Sequence, residues 1–226
     1  MRRWLVAALS AGLALSGAST AHAGSAGTAG ARSPQTPQTR RAAAIATATT
    51  ATTAATCPVP ELSQPLLRYY DTGWYYLVPN GSLTQGLDSW RTVGPVSVSS
   101  QSAPQDVMGA GGGSLAIGWG GRATTQPLCT DSNHDRTRFF YRGTGWPGSS
   151  LLVRVTSRSS LWYSSSYTAT YLLDASSTSW RLSPTVVVPD WTDASGTQTT
   201  TISFESSGGT VLVDDVLVDP WRYNTN

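Results

Sequence analysis

The densest run of side chains able to do chemistry is Asp131-Ser132-Asn133-His134-Asp135. Its D-x-N-x-D spacing is that of an opening calcium loop, where oxygen ligands alternate along the chain. The loop is not completed, because Arg136 stands at the turn-glycine position and Arg142 at that of the bidentate glutamate. The segment therefore reads as a polar turn leading into a strand over 137–142. His134 is the only histidine beyond residue 23, and no serine or cysteine nucleophile motif accompanies it. No hydrolytic triad is read there. A glycosidase needs only two carboxylates separated by about 5–10 Å. Asp71, Asp88, Asp190 and Asp193, however, stand beside turn residues, where aspartate stabilises turns. Asp214-Asp215 falls within a strand, so one of the two points inward and needs a partner, for which Arg138 is the expectation. The glycine-rich stretch 108–121 lacks a following helix and a Gly-Lys-Ser/Thr sequence, which excludes a phosphate loop. The reading is non-enzymatic, with no cofactor and no metal.

The aromatic residues remain. Eight of the nine tryptophans lie beyond residue 23. Sugar rings stack on flat aromatic faces, and indole is a good platform for them. The run over 160–171 sets Trp162 and Tyr163 before a serine turn and Tyr167 after it. A hairpin would gather these three at an edge or tip. Trp146, in Gly-Thr-Gly-Trp-Pro-Gly, stands on a loop. These four are the expected ligand-binding residues. The alternative is that the rings cover the sandwich ends, with Trp162 and Tyr171 in the core.

Residues 1–23 carry Arg2-Arg3, an apolar run from Trp4 to Leu15 and the small-x-small triplet Ala21-His22-Ala23. That is the layout of a cleaved export signal, too short to span a bilayer. It predicts a secreted protein with no membrane contact after cleavage; the general export route is favoured over a twin-arginine one. Residues 24–56 are built from small and polar residues and read as a disordered spacer. The domain proper is 57–226. It holds ten arginines against thirteen acids, a net of −3, which disfavours nucleic-acid binding through phosphates. Cys57 and Cys129 are the only cysteines, and in an exported chain they read as one disulfide.

Beyond Cys57 no helical period persists. Short runs rich in Val, Thr, Tyr and Trp recur between Gly, Pro, Ser and Asp. Strands are expected over 66–70, 74–78, 89–93, 96–100, 114–119, 137–142, 151–157, 167–173, 185–188, 199–206 and 210–218. In the run 151–157, Leu151, Val153 and Val155 share one face. Ser207-Gly208-Gly209 joins the last two strands as a hairpin turn. The pattern predicts an all-β antiparallel sandwich.

The segments 57–90, 128–142 and 211–222, with a Cys-Pro entry, an Asn-Gly turn and a closing Asp-Asp-Val strand, resemble a family of secreted actinobacterial proteins without assigned function. More distantly, the Asn80-Gly81 entry and the Asp214-Asp215-Val216 strand are similar to jelly-roll (galactose-binding-like) carbohydrate-binding modules. That similarity implies a jelly roll and a structural calcium held by a glutamate near the entry and the late Asp-Asp pair. Here Thr84 stands in place of the glutamate. Its hydroxyl could instead hydrogen-bond Asp214 or Asp215 across the same corner.

The expected function is recognition of an extracellular glycan or cell-envelope polymer by a monomeric, non-catalytic sandwich. The alternatives are a structural or adhesive protein contacting another protein, and a hydrolase.

Overall fold

The computed structural model describes residues 57–220, except 59, 105, 106, 108–110, 160–164, 193 and 194. Among the described residues thirteen strands form two antiparallel sheets. In chain order they are Tyr76–Leu77 (β1), Trp90–Val93 (β2), Val96–Ser99 (β3), Ser114–Ile117 (β4), Arg122–Thr125 (β5), Leu128–Asp131 (β6) and His134–Gly143 (β7). Ser150–Ser159 (β8), Ser166–Asp174 (β9), Arg181–Leu182 (β10), Val186–Val187 (β11), Thr197–Ser207 (β12) and Val211–Pro220 (β13) complete them. One sheet runs β10-β7-β13-β4-β3, with β1 also on β13 and β11 also on β7. The other runs β2-β5-β12-β8-β9, with β6 also on β12.

Period-two patterning decides which side chains meet between the sheets. On β8 Leu151, Val153 and Val155 point inward, and on β12 Ile202 and Phe204 do the same. Phe139 and Tyr141 of β7 face them, with Phe139 edge-on to Phe204 at 4.9 Å between ring centroids. Every residue of β13 is buried. Its outer face is covered too: Leu66, Tyr75, Phe140 and Leu217 form a second, smaller core beneath the segment preceding β1.

That segment departs from the expected strand over 66–70. Leu67–Tyr69 is instead a single 3-10 turn, closed by Tyr70 at φ 60°. The run has no alternation, and the backbone N–H groups of Tyr69 and Tyr70 turn back onto the carbonyls of Leu66 and Leu67. Three elements carry no strong β signal and emerge only through pairing: β5, β6 and β10. Cys57 and Cys129 form a disulfide that ties the domain's entry to β6.

Candidate functional site

On the outer face of the β7–β13 sheet the small core stops short and leaves an open cavity of about 820 Å³. Its floor comes from two strands and its rim from the covering segment. Because side chains alternate, the same strand that sends Phe139 and Tyr141 inward sends Arg136 and Arg138 out. Asp219 approaches from β13, whose register places it opposite Arg136. Leu62, Gln64, Tyr70, Asp71 and Trp74 come down from the rim.

Asp71 holds the rim to the floor. One carboxylate oxygen caps its own turn by accepting from the Gly73 N–H at 3.0 Å. The other accepts the Tyr75 hydroxyl at 2.8 Å and lies 3.3 Å from Arg138 Nη1. Arg138 Nη1 also donates to Thr185 Oγ1 at 3.0 Å. Burial, followed by the hydrogen bond to Asp71, drives the Tyr75 hydroxyl well above its ordinary pKa. Arg136 reaches Asp219 at 3.5 Å and Asp135 at 3.1 Å. Asp219 is only 2% exposed, and burial pushes its carboxyl up to about 6 against the opposing pull of Arg136. Its Oδ1 has no hydrogen-bond partner.

Gly73 makes this packing possible. A Cβ there would lie 2.7 Å from Asp219 Oδ2 and 3.1 Å from Asp71 Oδ1. The two carboxylates thus converge on one point beside the loop. Asp219, 2% exposed, lines the cavity beneath Gly73 together with Asp71. Above it, Tyr70 stands 98% exposed and Trp74 45% exposed. The arrangement offers two aromatic faces over a fixed set of charged donors and acceptors, a combination suited to binding a polar ring.

Of the four residues expected from sequence, Trp162 and Tyr163 lie outside the described residues. Tyr167 is exposed and stacks on Trp191, with ring centroids 6.0 Å apart and planes inclined by 26°. Trp191 Nε1 donates to Ser165 Oγ at 2.9 Å, which fixes the pair. Trp146 is 64% exposed. It precedes β8 at Ser150, whereas Tyr167 pairs with Ser157 on the same strand. Seven residues at about 3.3 Å each hold the two apart, so they do not share one site.

One further expectation is corrected. Arg138 pairs with Asp71, and the buried Asp214 carboxylate accepts instead from the backbone N–H groups of Ala103 at 2.7 Å and Asp215 at 2.8 Å. A bulge between Asp214 and Leu217, with Asp215 at φ 46°, re-aims this corner. Thr84 is exposed. Among the described residues no group of three or more His, Cys, Asp or Glu could hold a metal ion. The Asp131-to-Asp135 segment is the expected polar turn: Asp131 Oδ1 accepts from the Asn133 N–H at 2.9 Å and meets His134 Nδ1 at 2.9 Å. Burial alone would raise Asp131, but these contacts outweigh it and hold the carboxyl below its ordinary pKa.

Of the cavity residues, Tyr70, Trp74 and Asp219 were not singled out by sequence, and Asp71 and Arg136 were read only as a turn residue and as the break in a calcium-loop pattern. The available signals were the alternation Arg136-x-Arg138 beside inward aromatics, and an Asp-Thr-Gly turn flanked by rings at 69, 70 and 74.

The molecule is thus a two-sheet antiparallel β-sandwich with an aromatic-rimmed cavity on one sheet. Solved structures similar to it include the enzymatically active domain of bacteriophage CBA120 tailspike protein 4 (TM-score 0.47, 17% identity, 63% of this chain and 21% of that one). A family 16 carbohydrate-binding module is similar at TM-score 0.45 and 18% identity, over 63% of this chain and 99% of that one. A family 11 module from Clostridium thermocellum, solved with a β-1,3-1,4-mixed-linked tetrasaccharide, is similar at TM-score 0.40 and 15% identity, over 64% and 95%. The chain spans about a fifth of the tailspike chain and nearly all of each module. No protein-family model matches the sequence, and no curated protein matches it.

Proposed function

We propose that this is a secreted, non-catalytic protein that recognises an extracellular glycan or cell-envelope polymer, and that the cavity on the β7–β13 sheet is its binding site. One observation carries this reading: a cavity of about 820 Å³ places two exposed aromatic rings, Tyr70 and Trp74, over a fixed Arg/Asp network. Its volume is that of a small-ligand cleft, and its polar groups are held by one another before any ligand arrives. Aromatic faces supply contact with the C–H surface of a sugar. Arg138, Thr185 and Gln64 on the lining supply donors and acceptors for its hydroxyls. The Tyr167–Trp191 pair is a second aromatic surface suited to the same class of ligand.

The test is retention on insoluble polysaccharides and isolated cell walls, comparing the native sequence with Y70A/W74A and with Y167A/W191A. The reading expects saturable binding lost in Y70A/W74A. Binding to none of these polymers would remove it in favour of a protein contact.

A further inference from the structure

Five loops meet at the end of the sandwich where β7 leads into β8 and β12 into β13. They are residues 94–95, 118–121, 144–149, 175–180 and 208–210. Their contacts are continuous. A Cβ on Gly94 would meet the Gly120 carbonyl at 3.2 Å, and the Gly120 N–H donates to Ser206 O at 3.0 Å. A Cβ on Gly209 would meet Trp146 Cβ at 3.1 Å, and the Ala175 N–H donates to Ser149 O at 2.9 Å. These loops contain no Asp, Glu, Arg, Lys, His, Asn or Gln. Glycine, serine and threonine dominate them, and two tryptophans project: Trp119, 76% exposed, and Trp146, 64% exposed. Val93, 61% exposed, closes β2 at the same end.

Charge begins one to three residues behind the loops. Arg122 opens β5, Arg142 stands next to last on β7 and Arg181 opens β10. Arg142 lies over the Trp180 ring at 5.4 Å and donates to Thr178 O. The acids at this level are Glu205, shared between Arg154 at 2.7 Å and Arg122 at 3.8 Å, and Asp174, facing Arg181 at 3.4 Å. The end therefore has an uncharged, indole-tipped face with an excess of arginine set back from it.

We propose that this end docks on the interfacial layer of an anionic lipid bilayer. The inference is independent of the glycan reading and reverses the expectation from sequence of no membrane contact after cleavage. The two projecting indoles have no carboxamide or charged side chain within their own loops, in contrast to the Arg/Asp-lined cavity. Indole favours the bilayer interface, where its ring is covered and its N–H stays wet. Arginines behind an uncharged tip lie at the level of the lipid phosphates. No helix among the described residues is long and apolar enough to cross a membrane, and the contact proposed is a peripheral one.

The test uses the chain from Gly24 onward, since the sandwich core is built from later residues. It is sedimented with vesicles of phosphatidylglycerol and phosphatidylcholine, and indole emission is recorded. The expected result is cosedimentation with a blue-shifted emission, weakened by salt and by R142Q. W119S/W146S should reduce partition by at least roughly tenfold, the loss expected when two indoles no longer leave water. Y70A/W74A, which alters only the cavity, should sediment like the native sequence. No cosedimentation, or equal cosedimentation of W119S/W146S, would overturn the proposal. So would a polysaccharide retention that W119S/W146S abolishes in the absence of vesicle binding.

Discussion

Asp71 and Arg138 are joined at 3.3 Å across the boundary between the covering segment and β7, with side chains only 13% and 15% exposed. The contact makes a surface loop part of the fold. It also fixes the position of Trp74, three residues beyond Asp71, over the cavity.

Breaking that pair should therefore uncouple loop and sheet. R138M is expected to lower stability by about 2 kcal/mol, below the cost for a fully buried pair because some solvent reaches this one. Chemical denaturation measures it. Glycan retention should fall together with stability in this variant, unlike in Y70A/W74A.

Tyr70 and Trp74 contribute little to the core, so Y70A/W74A should keep the native melting temperature within a few degrees. Its glycan affinity should drop roughly tenfold or more if each ring contributes on the order of 1 kcal/mol of stacking. Calorimetry on the same preparation separates the two effects.

Gly73 should not tolerate a side chain. In G73A the new Cβ meets Asp219 Oδ2 at 2.7 Å and Tyr75 Cε2 at 2.7 Å. The loop must lift, and the expected cost is about 1–3 kcal/mol, as for other overpacked sites. Thermal unfolding checks this.

The pH dependence follows from Asp219. Its carboxyl titrates near 3.8 when unfolded and is pushed up to about 6 in the folded chain. Between these values the folded state holds the extra proton, so this group makes stability fall as pH rises from 4 to 6 and level off above. The effect is at most about 3 kcal/mol, since one pKa unit corresponds to 1.36 kcal/mol. Asp131, held below its ordinary value, acts in the opposite sense and only under acid conditions below about 3.8. Urea midpoints of the native sequence and D219N between pH 4 and 7 should diverge in slope, with D219N the flatter.

Removing the disulfide should also be costly. Cys57 and Cys129 are 72 residues apart in sequence, and closing a loop of that size is worth about 4 kcal/mol in the chain-entropy model. C57A/C129A should show that loss as a lower denaturation midpoint.

Much of the sandwich was legible because its central strands obey a local rule. β8 and β12 alternate inward and outward without a break, and β13 announces itself by a continuous apolar run around Asp214-Asp215. β5 and β6 were hidden because Arg-Ala-Thr-Thr and Leu-Cys-Thr-Asp carry no apolar alternation; β12 supplies their pairing. The cavity was hidden for a different reason. Asp71, Arg138 and Asp219 come from three segments far apart in sequence, and nothing local in Asp71 distinguishes a turn cap from an ion-pair partner. It is both. Tyr167 was singled out by its place after a serine run, but its stacking partner Trp191 lies 24 residues on, in another loop.

The central claim is that the cavity on the β7–β13 sheet binds the glycan. The most direct measurement is NMR mapping of indole N–H and arginine side-chain resonances, during titration with an oligosaccharide from whichever polymer retains the protein. Saturable shifts are expected at Trp74 and Arg138, with Trp191, Trp119 and Trp146 unmoved at the same concentrations. Shifts confined to Trp191, with Trp74 and Arg138 unmoved, would contradict it and place recognition at the Tyr167–Trp191 surface.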